Sequence, residues 1–159
     1  MAWISPDSWA DPASVWTNED NVKDEDTNTY ASCAVPGDSW GSSLALFPPT
    51  DITIDGTDYM LCNKIRFSAY RASTRINKAK IILNVLEGEG GIEKQWDVYP
   101  NNVWVTWDLE GVYRVELAAV TFYNTWGAPY TAKFYEFDFG KAATRGKVNN
   151  SLARGILAR

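Results

Sequence analysis

Two aspartates and a threonine lie close together in residues 24–29 of the 159-residue chain. Calcium takes six to eight oxygen ligands at about 2.3–2.6 Å, drawn from carboxylates, carbonyls and hydroxyls on irregular loops. Asp24, Asp26 and Thr29 offer two carboxylates and one hydroxyl, and neighbouring carbonyls can complete the shell. The alternative is an Asx turn with solvated acids that needs no metal. The spacing therefore indicates either a calcium-binding loop or an Asx turn.

A second pair of acids, Glu136 and Asp138, alternates on one face of a predicted strand, as the paired carboxylates of a β-sandwich glycosidase do. Such enzymes usually read Glu-x-Asp-x-x-Glu along the strand, and Lys141 stands where the third acid belongs. The chain contains no histidine, which excludes serine–histidine and histidine–metal chemistry. We therefore expect no catalysis. The two acids are expected to face solvent, or Glu136 to serve as a metal ligand.

Aromatic side chains in predicted loops form a candidate ligand site. Sugars bind by stacking on aromatic faces while polar groups hold their hydroxyls. The candidate ligand-binding residues are Trp40, Tyr70, Arg71, Trp126 and Tyr130, with Arg75 at the same rim. Because the chain contains eight tryptophans, the alternative for any one of them is that it caps the end of the hydrophobic core.

The elements that must position these residues are strands, because the apolar residues recur with a period of two rather than 3.6. We predict strands at 43–47, 62–70, 80–86, 95–99, 103–107, 112–117, 119–123 and 132–139. Turn signals separate them, including Glu110-Gly111 and Gly127-Ala128-Pro129. The first 40 residues are expected to be rich in loops, with their tryptophans packed against the strands. Such spacing predicts an all-β fold, an antiparallel sandwich or barrel.

Charge and composition change abruptly near Gly140. Residues 1–30 hold seven acids against one lysine, whereas residues 141–159 hold five basic residues and no acid. We predict a β-strand domain over 1–140, with a loop-rich N-terminal segment, and a non-globular basic arm over 141–159. The arm residues expected to dock on neighbouring subunits are Arg145, Lys147, Leu152, Arg154, Ile156, Leu157 and Arg159. The alternative is a solvated, disordered tail.

Net charge and hydropathy exclude several classes of partner. The net charge of −5 makes the domain a poor partner for nucleic acid. Because no apolar run approaches the roughly 20 residues of a spanning helix, we expect no membrane insertion. Cys33 and Cys62 suit either one disulfide or two buried thiols, and we favour free thiols.

Residues 15–32 resemble the opening of the discoidin-like, or galactose-binding-like, jelly-roll domains. That opening carries an Asp-Gly-Asp-x-x-Thr-x-Trp/Tyr pattern, and the last strand of the family carries an acid, here Glu136. The resemblance covers residues 15–140 and implies an antiparallel β-sandwich of jelly-roll type that holds a structural calcium ion. The ligands that it implies are Asp24, Asp26, Thr29, Glu136 and the carbonyl of Asn21. Glu25 stands where the family usually has glycine, and we expect a side chain there to oppose the tight turn.

A further resemblance, to small environmental-phage structural proteins with this domain, rests on residues 26–31 and on a tail that ends in Leu-Ala-Arg. It implies a non-catalytic virion accessory protein, either a capsid decoration protein or a tail or fibre component. Its arm would dock on capsid or other virion proteins and on sister copies. The alternative function is an extracellular or cell-surface carbohydrate-binding module that holds glycans through the loop aromatics.

Overall fold

The computed structural model describes residues 2–72 and 74–142 of the chain. The seven residues predicted to dock the C-terminal arm lie outside the described residues: Arg145, Lys147, Leu152, Arg154, Ile156, Leu157 and Arg159. The last strand passes through Gly140 and ends at Lys141. The ammonium of Lys141 lies 2.9 Å from the Asp51 carboxylate, and the N–H of Ala142 donates to the carbonyl of Leu61. The first two residues of the predicted arm thus pack on the domain.

Most of the described chain forms antiparallel sheet, and burial alternates along many of its strands. This architecture confirms the predicted β-sandwich. The strands are β1 (Ala2–Ile4), β2 (Ser8–Ala10), β3 (Ala31–Val35), β4 (Ser39–Trp40), β5 (Leu44–Phe47), β6 (Ile52–Ile54), β7 (Thr57–Ala69), β8 (Ile76–Val85), β9 (Gly88–Trp96), β10 (Val105–Asn124) and β11 (Tyr130–Lys141). A 3-10 helix spans Glu19–Lys23. In the part of the chain that the structure describes, no helix could cross a bilayer.

The 20-residue strand β10 connects the two halves of the sandwich. Its first half pairs with β7, which pairs in turn with β11. Its second half lies between β8 and β5. The strand β11 pairs with β7 on one side and with β3 and β1 on the other. This arrangement brings both ends of β11 next to loops of the N-terminal segment.

Several strand limits differ from those that the sequence predicts. The predicted strands 103–107, 112–117 and 119–123 form the single strand β10, so the Glu110-Gly111 turn prediction is wrong. Glu110 adopts a left-handed conformation (φ 57°), and the register with β7 shifts there, which marks a bulge rather than a chain reversal. The predicted strand 95–99 is also displaced, since β9 ends at Trp96. The loop-rich N-terminal segment contains the four short strands β1 to β4.

Edge-to-face aromatic contacts fill the core around Trp16. Its side chain is 4% exposed, and its ring lies 6.3 Å from the rings of both Phe122 and Phe134. The indole N–H donates to the carbonyl of Ser42, and the backbone N–H of Trp16 donates to Asp11. An N-terminal tryptophan therefore lies against the sandwich as predicted, and it anchors the segment that precedes β3.

Both cysteines are buried and neither forms a disulfide, as the free-thiol interpretation expects. Burial raises the pKa of the Cys33 thiol to about 12, and the nearby Asp11 carboxylate adds to the effect. Burial also raises the pKa of Cys62. Both thiols are thus protonated at neutral pH and act as small apolar core groups.

We predict that Trp16→Ala lowers the free energy of unfolding by about 3–5 kcal/mol, because it removes a buried indole and leaves a cavity. Urea unfolding followed by circular dichroism measures the change. Val15→Ala is the matched control, since Val15 is the neighbouring residue and 42% exposed. Equal losses in the two variants would contradict the assignment of Trp16 to the core.

Candidate functional site

The acidic loop folds on itself through the carboxylates of Asp24 and Asp26. Asp24 accepts hydrogen bonds from the hydroxyl of Thr29 at 2.6 Å and from the backbone N–H of Asp26 at 3.0 Å. Asp26 accepts one from the backbone N–H of Asn28 at 2.9 Å. Two successive Asx turns therefore shape the loop, as the metal-free alternative predicts. The side-chain amide of Asn21 donates to the carbonyl of Tyr30, so it closes the loop at its base.

Glu25 adopts a left-handed backbone conformation, with φ at 62°. Glycine takes this conformation without steric cost, whereas another residue loses roughly 1–2 kcal/mol. The turn forms with Glu25 in place, so the side chain there opposes the turn but does not prevent it. The hydrogen bonds of Asp24 and Asp26 on either side hold the backbone in this conformation.

The predicted ligand Glu136 faces this loop from β11. Its side chain is 1% exposed, it lies within hydrogen-bonding distance of Asp24, and its Oε1 has no hydrogen-bond partner. Burial raises the pKa of Glu136 to about 9, and the carboxylates of Asp24 and Asp138 contribute further. Burial also acts to raise the pKa of Asp24, but hydrogen bonds from Thr29, Glu136 and the backbone outweigh it and lower that pKa.

The acidic loop and Glu136 bring together part of the oxygen ligand set that the resemblance implies for a cation. A buried carboxyl oxygen without a partner, facing a second carboxylate, is a costly arrangement that a cation would relieve. Among the described residues, no three His, Cys, Asp or Glu side chains are grouped so that they could hold a metal ion. A cation here would therefore need carbonyl and hydroxyl oxygens beside the carboxylates of Asp24 and Glu136, which is the ligand chemistry of calcium.

Asp138 has a different partner from Glu136. Arg66 donates to Asp138 Oδ2 from Nε at 2.9 Å and from Nη2 at 2.7 Å. The guanidinium lies between two indoles, 4.4 Å from the ring centroid of Trp3 and 3.9 Å from that of Trp104. Since Glu136 and Asp138 are only 1% and 6% exposed, the expectation of a solvent-facing acidic pair is wrong. A cavity of about 180 Å³ lies beside this ion pair, and it is lined by Trp3, Glu25, Arg66, Trp104, Glu136 and Asp138.

Three of the predicted ligand-binding residues come together at one rim of the sandwich. The rings of Trp126 and Tyr130 meet edge to face at 6.0 Å, and the guanidinium of Arg75 lies 4.0 and 4.8 Å from their centroids. A hydrogen bond to Tyr130 raises the pKa of Tyr70. Tyr70, Arg75 and Tyr130 border a concavity of about 310 Å³. We call Tyr70, Arg75, Trp126 and Tyr130 the aromatic rim.

Backbone contacts between loops hold the aromatic rim in place. The N–H and hydroxyl of Thr125 both donate to the carbonyl of Arg75, and the side-chain amide of Asn124 donates to the carbonyl of Ala128. The N–H of Asp38 donates to the carbonyl of Trp126. Trp126 nonetheless remains 41% exposed, so its ring is held by the loop but not buried by it.

The other two predicted ligand-binding residues have different contacts from those of the aromatic rim. Trp40 packs edge to face on Tyr123 at 5.2 Å, and the ammonium of Lys80 lies 4.5 Å from its centroid. The backbone N–H of Arg71 donates to Asn101, and its side-chain Nε is buried without a hydrogen-bond partner. Neither residue has a described contact with Trp126 or Tyr130.

Sequence patterns alone missed Lys133, which adjoins the aromatic rim. Its ammonium lies 5.1 Å from the ring centroids of both Tyr30 and Tyr70. On the sequence it is one of several lysines on alternating strand positions. The signal that could have identified Lys133 is its position on β11, three residues after Tyr130.

Solved carbohydrate-binding domains share the observed architecture. The CBM32 of AlyQ, in complex with 4,5-unsaturated mannuronic acid, matches 89% of this chain and 100% of that chain with a TM-score of 0.56 at 11% identity. The lectin domain of lectinolysin, complexed with Lewis B antigen, matches 86% of this chain and 92% of its own with a TM-score of 0.51 at 9% identity. The chain shares the jelly-roll fold of these domains.

A Ruminococcus gnavus GH29 fucosidase in complex with fucose contains the same jelly roll as a small part of a larger protein. The match has a TM-score of 0.51 at 13% identity and covers 78% of this chain but 22% of the fucosidase. No protein-family model matches the chain, and no curated protein matches it. At these identities the likeness establishes the fold alone, so the ligand has to be argued from the residues.

We predict that the jelly roll loses stability in a chelator as pH rises from 4.5 to about 9. The folded state keeps Glu136 protonated up to about pH 9, whereas the unfolded chain releases that proton near 4.5, so the contribution of Glu136 is lost over this interval. Urea unfolding across the pH range measures the decline. Glutamine at position 136 cannot ionise, so the free energy of unfolding of Glu136→Gln should fall much less over this pH range. A variant that declines as steeply as the parent protein would contradict the assignment.

Proposed function

We propose that this protein is a carbohydrate-binding module that holds a glycan against the aromatic rim. The observation that carries the proposal is the exposed Trp126 ring, fixed edge to face against Tyr130 beside a concavity of about 310 Å³. A rigid, exposed aromatic face beside polar groups is the arrangement on which sugar rings stack. The hydroxyls of Tyr70 and Tyr130 and the guanidinium of Arg75 offer hydrogen bonds to sugar hydroxyls.

The structural comparisons support the same proposal. Two whole domains that share the fold are described as complexes with 4,5-unsaturated mannuronic acid and with Lewis B antigen. A glycan-binding role places the protein outside the cell or at a cell surface, where such ligands are found. We therefore propose the extracellular or cell-surface location.

We further propose that the module is non-catalytic. The carboxyls of Glu136 and Asp138 are already engaged, one with the acidic loop and one with Arg66. Two carboxyls that are buried and paired in this way cannot flank a glycosidic bond as a general acid and a nucleophile. The virion role, by contrast, stays a prediction, because its docking residues lie beyond residue 142.

We predict that Trp126→Ala weakens glycan binding by about tenfold or more, because it removes the stacking face. A glycan array selects the ligand, and isothermal titration calorimetry with that ligand gives the affinity. Trp40→Ala is the matched control, since Trp40 is another tryptophan that packs on a tyrosine near a cation. The control should bind like the parent protein.

Two results would overturn this assignment. If Trp40→Ala abolishes binding while Trp126→Ala preserves it, the site lies around Trp40 and Tyr123. If the parent protein binds no glycan on an array that includes neutral and acidic sugars, the proposed function fails.

We also propose a structural calcium ion at the acidic loop. The carboxyls of Asp24 and Glu136, the hydroxyl of Thr29 and the carbonyl of Asn21 would hold it. The ion would take the place of the proton that Glu136 holds against Asp24 and so fasten the loop to β11. Burial of Glu136 and the lack of a partner for its Oε1 support this proposal.

We predict that calcium raises the melting temperature. A ligand at about a hundred times its Kd stabilises the folded state by about 2.7 kcal/mol, which corresponds to roughly 5–10 °C for a domain of this size. Differential scanning calorimetry with calcium and with a chelator measures the increment. Asp24→Asn should abolish it, whereas Glu19→Gln, which removes a nearby acid outside the proposed ligand set, should retain it. An unchanged melting temperature on chelation would contradict the proposal.

A further inference from the structure

A continuous row of rings and cations extends the aromatic rim along the surface. Lys133 contacts Tyr30 and Tyr70, Tyr70 hydrogen-bonds Tyr130, and Arg75 contacts both Tyr130 and Trp126. Tyr30 also packs edge to face on Tyr135 at 5.6 Å. We call this row the basic aromatic strip, and its members are Tyr30, Tyr70, Arg75, Trp126, Tyr130 and Lys133.

The two cations of the strip lack a carboxylate partner, whereas four other cations of the described residues have one. Lys23, Arg66, Arg114 and Lys141 each pair with a carboxylate within 4.0 Å. Within residues 2–72 and 74–142, neither Arg75 nor Lys133 forms such a pair. An aromatic ring orients a cation over its face but does not neutralise it. The strip thus presents two positive charges that are held in place and available to an anion.

The surroundings make this positive strip unusual for the molecule. The chain as a whole has a formal charge of −5, so most of its surface repels a polyanion. Acids lie beyond both ends of the strip: the Asp38 carboxylate lies beside Gly127 at the Trp126 end, and the acidic loop directly precedes Tyr30 at the other end. Between these acids, Arg75 and Lys133 are the charges that an anionic ligand would meet.

We infer that the basic aromatic strip binds an acidic glycan, a chain that carries carboxylates on successive sugars. This inference rests on the proposed function and names the class of ligand for that site. Arg75 would pair with the carboxylate of the sugar that stacks on Trp126 and Tyr130, in the planar two-point geometry that guanidinium favours. Lys133 would pair with the carboxylate of a neighbouring sugar that lies over Tyr70 and Tyr30. Two cations separated by two tyrosines suit a repeating anion better than a single charged group.

The test compares an oligouronate with the same oligosaccharide after chemical reduction of its carboxyls. Isothermal titration calorimetry on the full chain should show tighter binding of the oligouronate by tenfold or more, a difference that shrinks with added salt. Lys133→Gln should weaken oligouronate binding by about tenfold and leave binding of the reduced sugar unchanged, and Lys133→Arg should restore it. Lys80→Gln is the matched control, because Lys80 also lies over a surface tryptophan but away from the strip.

The outcomes separate this inference from the proposed function. Equal affinity for the two ligands, or a Lys133→Gln variant that binds like the parent protein, overturns the acidic class and leaves a neutral-glycan module. Equal losses of oligouronate affinity in Lys80→Gln and Lys133→Gln contradict binding at the basic aromatic strip. The ligand would then be attracted by basic residues over the whole surface. Tight binding of a sulfated glycan without binding of the oligouronate contradicts the inference that the strip recognises carboxylates. If neither ligand binds and the array is also silent, the proposed function itself fails.

Discussion

The register of β11 between β3 and β7 determines where every side chain of both sites lies. Lys133 is paired with Ser32 of β3, and its carbonyl accepts the N–H of Tyr70 just beyond β7. Its ammonium is therefore flanked by Tyr30 and Tyr70, which lie just outside those two strands. The same register opposes Asp138 to Arg66. A slip of one residue would reverse the face of each side chain and separate these partners.

This register also gives the two halves of β11 different surroundings. The first half carries Tyr130 and Lys133 at a rim where the cations contact aromatic rings. The second half carries Glu136 and Asp138, which are buried against the acidic loop and Arg66. Tyr30 directly follows the acidic loop, and its carbonyl accepts a hydrogen bond from Asn21. The loop that faces Glu136 is thus the loop that positions one ring of the basic aromatic strip.

Local patterns predicted the long strands well, because each of them buries alternate residues over many positions. The short strands β1, β2 and β4 contain only two or three residues each, so their pattern carries little signal. They form because β5, β10 and β11 offer partners that are distant in sequence. Glu110-Gly111 was mistaken for a turn for a related reason. The same residue types serve at a bulge, and only the continued pairing on both sides distinguishes the two.

From the sequence alone, the period of two sufficed for the all-β class, and residue types sufficed for the acidic loop and for the aromatic candidates. These are local properties, since alternation and hydrogen-bonding capacity belong to short stretches of chain. Only the folded chain decided three further features. These are the grouping of Tyr70, Arg75, Trp126 and Tyr130 without Trp40, the burial of Glu136 against Asp24, and the position of Lys133. Each of them depends on contacts between segments far apart in sequence, and strand pairing sets such contacts.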